Sequence, residues 1–470
     1  MRGSGVSARG HSTLRELTIA RWVAFVSIGL FVAVLANGAT SYLKRLGLLD
    51  RQNFELYVVT YCGGTTAGRP SYTFPCQCMQ DPPVSEESAP VSEVKAPLLS
   101  RRYVYETAGH ERVFKVFKDV LFAGLVALSL FLLATRKIRP PSLAGASPML
   151  WLAASVVAGF LISVALWGWL FALLGLRSFA FLGVAFLGGW AAGGMQGFAW
   201  CAAAMVAIQA VLVGLEFVFG IPLRFCPFSF RGAGTLVLSN SLGVFAVVAI
   251  AFFRAFSPNR SHFWMLLPIA VILVFASGSG TAVFTLSALL GFLLLDKTSG
   301  VQRFVAVAAL LAVAVALTVK LPELTQRPDI YNSLLAPEGR LDSLSRLMRE
   351  ANTAQLLVGH GIGFGTNSAT NVLSGAPVAL PDNSTGEKFS ADSTVTVLFT
   401  QLGIVGIVLF YGVLGWGFWR DPVVRPVYLV IAVSSLTIIV TELFPVNFLL
   451  GLALAHTLQN GRQFRRAPAT

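Results

Sequence analysis

Runs of apolar residues alternate with short polar connections along most of this chain. About twelve runs can be drawn, at 17–36, 120–134, 150–174, 179–194, 198–219, 236–253, 263–276, 282–295, 304–319, 395–419, 427–441 and 444–458. A helix needs about 20 residues to cross the hydrocarbon core of a bilayer. The pattern therefore predicts an all-α polytopic membrane protein with about twelve transmembrane helices. Two long stretches, 41–118 and 320–393, break the pattern and read as extramembrane loops.

Composition agrees with a bilayer. Apolar residues make up 55% of the chain and charged residues 12%, and mean hydropathy is +0.72. An ordinary soluble domain carries about 25% charged residues. The net charge of +13 is read first as topology rather than as a nucleic-acid surface. Arg2, Arg9, Arg15 and Arg21 precede or open the first run, and hold the N-terminus in the cytoplasm. No clear cleavage site follows that run, so it is expected to stay as a span. Arg136, Lys137, Arg139, Arg254, Arg260, Lys297, Arg303, Arg420 and Arg425 then fall in cytoplasmic loops. Arg462, Arg465 and Arg466 follow in a cytoplasmic tail, so both long loops lie outside. The domains expected are the tail and first span (1–40), an outer loop (41–118), spans two to nine (119–319), a large outer loop (320–393) and spans ten to twelve with the tail (394–470). The middle of the first loop, 81–97, is rich in Pro, Ser and Glu and reads as disordered. A disulfide among Cys62, Cys76 and Cys78 fits an oxidising compartment.

Chemistry is sought where charge departs from this pattern. Arg224 and Arg231 lie between the fifth and sixth spans, on the side where cations are disfavoured. They read either as snorkelling side chains or as a clamp for an anion, because guanidinium groups bind phosphate bidentately. Glu216 lies within the fifth span, and an ionisable residue there is a functional candidate beside its structural reading as an ion pair. Glu442, between the last two runs, is a weaker candidate of the same kind.

In the large loop, Leu341, Leu344, Met348 and Ala351 form one stripe, with Arg346, Arg349 and Glu350 largely opposite. This predicts an amphipathic helix on a membrane surface or over a cavity, with Arg340 at its start. GHGIGFGTNS follows, at 359–368. Its glycines permit a tight, backbone-exposing turn, and His360 is a candidate base or phosphate donor beside its reading as an ordinary loop histidine. Asp392 opens the tenth run, either as a helix cap or as a proton acceptor at the mouth of a cavity.

Four pieces in this order resemble the O-antigen polymerase and O-antigen ligase superfamily. They are RGAGTLVLSNSLGVF (231–245), SGSGTAVFTLSALLGFLLL (277–295), EGRLDSLSRLMREANTAQLLVGHGIGFGTNS (338–368) and DSTVTVLFTQLGIVGIVLF (392–410). Two departures stand out. Gly280 follows Ser279 where the family has an arginine, and Asp392-Ser393 stands where ligases carry His-Asn. The resemblance implies a GT-C-like membrane glycosyltransferase with a partly helical periplasmic loop between spans nine and ten. It implies transfer from an undecaprenyl-diphosphate-linked glycan to a sugar hydroxyl, inverting and metal-independent, with no cofactor. Arg231 and Arg340 would bind diphosphate, backed by Arg224 and Arg346; His360 and Asp392 would handle protons, and Glu216 and Glu442 would support them. Partners would be lipid-linked donor and acceptor glycans, membrane lipids and a chain-length regulator, with no nucleic acid. Polymerase is the first reading, ligase the second, and a polysaccharide or lipid-diphosphate transporter the alternative from another class.

Overall fold

The computed structural model describes residues 146–192, 194–218, 223–226, 229–231, 234–236, 239–297, 340–366 and 393–463, with scattered helical positions within 120–134 and 302–320. The expected first span, the 41–118 loop with its three cysteines, and Asp392 lie outside the described residues.

The described chain is almost wholly helical. Helix α1 (Ser147–Trp167), α2 (Trp169–Ala192) and α3 (Gln196–Val218) come first. A short antiparallel hairpin, β1 (Leu223–Cys226) and β2 (Ser229–Arg231), and one 3₁₀ turn (Gly234–Leu236) follow. Then come α4 (Ser239–Phe256), α5 (Arg260–Ala276) and α6 (Gly280–Lys297). The large loop contributes α7 (Arg340–Glu350) and α8 (Thr353–Val358). The chain closes with α9 (Thr394–Arg420), α10 (Arg425–Ser435) and α11 (Val446–Gln463). Among the described residues, α1, α2 up to Trp190, α3 and α9 are long and apolar enough to cross a membrane.

Burial explains the layout. Every residue from Ser241 to Phe253 is buried, so α4 is the central rod. A helix that is apolar all round belongs in an interior, and α4 packs against α3, α5, α6, α10 and α11. Helix α1 is the inverse. Its large apolar side chains Trp151, Val157, Leu161 and Leu166 are exposed, while Gly159 and Ser163 are buried. Such a helix suits a lipid surroundings, where small and polar residues face the bundle.

One boundary differs from the apolar pattern. A connection was expected around 175–178, between the third and fourth runs. The break falls at Gly168 instead, whose φ of 91° is accessible to glycine. Gly175 to Ser178 are helical, so Arg177 sits inside α2. Helix α10 is also short. Its 11 residues span about 16 Å, roughly half of a bilayer core. The chain then runs without regular helix to α11.

Candidate functional site

The glycine-rich turn is not laid over the bundle but wedged into it. Gly359, Gly361, Gly363 and Gly365 all have positive φ, between 72° and 101°. The surroundings show why. A Cβ on Gly361 would meet the backbone of Ser163 in α1 at 2.8 Å, and one on Gly363 would meet the Phe171 carbonyl of α2 at 3.0 Å. From the other side, a Cβ on Gly175 would collide with the backbone of Gly363. Three elements approach so closely that alternate residues can carry no side chain.

A wedge of bare backbone among apolar helices must have its polar groups satisfied. Between His360 and Ile362 all six are. His360 N–H donates to the Thr400 carbonyl at 2.7 Å, Gly361 N–H to that of Gln401 at 3.1 Å, and Ile362 N–H to that of Gly159 at 3.1 Å. In return the His360 carbonyl accepts from Trp167 Nε1 at 2.9 Å, that of Ile362 from Ser163 Oγ at 2.6 Å, and that of Gly361 from Phe364 N–H at 3.4 Å.

The acceptors on α9 exist because that helix is broken. Gly403 has φ 65° and ψ −162°, which interrupts the i to i−4 ladder. The carbonyls of Thr400 and Gln401, left without helical partners, are those the turn binds. Sequence and break match each other: the loop supplies amides where α9 presents bare carbonyls. A capping box on Asn352 and Gln355 starts α8 and fixes the approach to Gly359.

His360 stands at the rim of this wedge. Its ring stacks on Phe364 at 4.7 Å with 15° between planes, and Phe364 leads on to Trp167 and Phe171. Burial among these rings pushes the imidazole below its ordinary pKa, outweighing the opposing effect of the backbone hydrogen bond to Thr400. The shift favours the neutral imidazole. Its Nδ1 is buried and has no partner among the described residues. Gln401, whose carbonyl accepts from Gly361 N–H, is fully buried and leaves both side-chain amide atoms without a partner among those residues. Each such group costs about 1–3 kcal/mol when buried.

A second non-helical segment, between α10 and α11, packs on the first turn of α9. Thr394 Oγ1 donates to the Ile438 carbonyl at 2.7 Å and accepts from Val440 N–H at 2.8 Å. Thr281, in the first turn of α6, meets Thr437 at 2.6 Å. Asn447 Nδ2 donates to the Thr441 carbonyl at 2.8 Å. The N-terminal turns of α6, α9 and α11 therefore converge on residues 437–441. Thr441 Oγ1 and Asn447 Oδ1 are buried there without a partner among the described residues. Glu442 is half-buried in the same segment.

Arg177 approaches this segment from α2. Its guanidinium lies 5.8 Å from the Phe181 ring, which stands 5.3 Å from Phe444. It is a charged side chain inside a membrane-type helix, and such residues are functional candidates. Sequence reading passed over it because it placed a connection there. Gln401, Thr441 and Asn447 were missed for a related reason, being single polar residues within or beside apolar runs. A lone glutamine in a span is the one signal that would have found the first of them.

The expected arginines lie on the hairpin and on α7. Arg231 pairs with Leu223 and Arg224 with Phe230, so the hairpin brings the two arginines to neighbouring rungs. Arg340 opens α7, as expected. Among its described side chains Leu344 and Leu347 are half-buried, while Arg346, Arg349 and Glu350 are exposed. Met348, expected on the apolar stripe, is 40% exposed. Glu216 is buried in α3. Among the described residues no group of three or more His, Cys, Asp or Glu side chains comes together. No family model matches the chain, and no curated protein matches it.

Proposed function

We propose that the protein is an inverting glycosyltransferase acting on undecaprenyl-diphosphate-linked oligosaccharide. In this reading it has about twelve spans in a GT-C-like arrangement, sits in a bacterial inner membrane with both termini cytoplasmic, and works at the periplasmic face. It polymerises lipid-linked repeats of an O-antigen, capsule or exopolysaccharide. The observation that carries the reading is the wedged turn. A break in α9, matched by a glycine turn that bears a histidine, is irregular backbone of the kind tolerated at membrane depth where it lines a cavity or is buried in protein.

The chemistry asks for two things. Charge builds on the leaving diphosphate, and fixed cations stabilise it without reorganisation. Arg224 and Arg231 on the hairpin, with Arg340 and Arg346 on α7, supply that charge. The attacking sugar hydroxyl loses a proton, and His360 or Asp392 takes it. The C1–O bond to the diphosphate breaks as the new C1–O bond forms, which inverts C1.

Purified protein given only lipid-linked repeat should produce a ladder of longer glycans. Single transfers onto an added lipid A core, with no ladder, would assign the ligase reading instead. Changing Arg231 and Arg340 together to Ala should lower turnover at least about 100-fold, the size of one lost oxyanion contact. One observation favours a transporter as second reading: α9 is broken and α10 is a half-length helix, as in folds that move solutes past discontinuous helices. Movement of labelled lipid across the bilayer without elongation would select it.

A further inference from the structure

We propose that the non-helical segment 436–445 between α10 and α11 seats a neutral sugar ring, with the Thr441 hydroxyl and Asn447 Oδ1 as its hydrogen-bond partners. The proposal rests on the glycosyl-transfer reading and gives the sugar a place in the bundle distinct from the turn at His360. It starts from the two buried polar atoms that have no partner among the described residues, Thr441 Oγ1 and Asn447 Oδ1. Thr441 is 2% exposed and Asn447 1% exposed. They belong to one constellation, because Asn447 Nδ2 donates to the Thr441 carbonyl at 2.8 Å. That bond fixes the amide, so its oxygen is the atom left over.

The chemical class follows from what surrounds them. An anion is favoured by the first turns of α6, α9 and α11, which converge here with their positive dipole ends, and by Arg177, whose guanidinium lies 5.8 Å from the Phe181 ring beside Phe444. It is opposed by the Asn447 oxygen, which only accepts, and by the Glu442 carboxylate in the same segment. A cation would suit that oxygen and carboxylate but meets the same positive helix ends. A hydroxyl group satisfies both: it donates to Asn447 Oδ1 and accepts from, or donates to, Thr441 Oγ1. A ring bearing several hydroxyls is the ligand that uses an acceptor and a two-way hydroxyl side by side. Aromatic faces complete the fit. Phe444 lies within the segment, in contact with Phe181 at 5.3 Å and Phe448 at 5.8 Å, and the apolar faces of sugar rings pack on such groups.

Two features separate this site from ordinary packing. Irregular backbone at membrane depth is retained where it lines a cavity or is covered by protein, and here it follows a helix of only 11 residues. Unpaired buried polar atoms lower stability, so they persist where a ligand supplies the partner.

The test compares the full-length protein in detergent with T441V and T441S. The probes are undecaprenyl diphosphate alone and undecaprenyl diphosphate carrying a disaccharide, each titrated while the thermal midpoint is followed. Wild type should gain a further shift from the disaccharide beyond that from the bare lipid. T441V should keep or raise the ligand-free midpoint, keep the response to the bare lipid, and weaken disaccharide binding at least about tenfold. T441S should restore it. A fall of several degrees in the ligand-free midpoint of T441V would show an ordinary structural hydroxyl and overturn the proposal. A response to the bare lipid with no disaccharide increment in wild type would also overturn it, leaving the transfer reading standing. No response to either probe would remove both.

Discussion

The bundle has two ends, and the same kinds of helix finish differently at each. At the end holding Asp421 and His456, termini are closed by side chains. Asn259 caps α5 by accepting from Ser261 N–H at 2.9 Å. Asp421 accepts from Val423 N–H at 3.1 Å through one oxygen and holds His456 Nδ1 at 2.8 Å with the other. Tyr428 meets Thr457 at 2.7 Å, and Arg425 Nε donates to the Phe418 carbonyl at 2.9 Å. At the end holding the glycine turn, α9 is broken, backbone substitutes for side chains, and His360, Gln401, Thr441 and Asn447 keep buried atoms unpaired among the described residues, as His262 Nδ1 does at the other end. One end is closed mainly by side-chain caps and pairs, the other by backbone fitted to backbone.

Substitutions can break this contrast, and the largest effect belongs to the turn. Gly363→Ala should cost at least about 3 kcal/mol or prevent folding, since φ of 101° disfavours any side chain and the Phe171 carbonyl blocks its Cβ. An unchanged thermal midpoint would mean that the turn is not wedged. Asp421→Ala, at the other end, should lower stability by about 2 kcal/mol, less than for a fully enclosed pair because His456 is 17% exposed. Transfer activity per folded molecule should be unaffected; a specific loss of turnover would erase the distinction between the ends.

Gln401→Met should behave oppositely to Asp421→Ala. Replacing two unpaired amide atoms by an apolar chain of similar size should raise stability by about 1 kcal/mol while lowering turnover. Destabilisation on chemical unfolding would show that the amide is paired after all. The smallest effect is a pH slope. The folded pKa of His360 lies below its ordinary value, so the unfolded chain binds more protons in between. Stability therefore rises with pH through that window, is complete above about 6.5, and is lost as pH falls. His360→Gln should flatten this part of the midpoint-against-pH curve, and an unaltered slope would assign it to other groups.

Much of the scaffold was legible. The apolar runs from 198 to 295 anticipated α3 to α6 within a few residues, and the stripe at Leu344 announced α7. The Gly-x-Gly pattern was correctly read as a backbone-exposing turn. Its destination was not, because nothing local says that Gly175 and Gly403, far apart in sequence, form the other walls. Arg177 was hidden by a misplaced connection: Gly175 looks like a breaker, whereas its role is to let Gly363 approach. The converging turns at Thr281, Thr394 and Asn447 are long-range meetings, invisible to any periodicity.

The alternation of glycines in the turn also sets how that turn can move. Glycine occupies 359, 361, 363 and 365, with His360, Ile362 and Phe364 between. Sliding the chain by one residue would drive a histidine, isoleucine or phenylalanine side chain into the backbones of α1 and α2. Sliding by two would replace three of the four glycines with the next, and bring Leu357 or Asn367 to the remaining position. The segment therefore has an index, like the teeth of a rack: one register fits, and a single step in either direction is blocked.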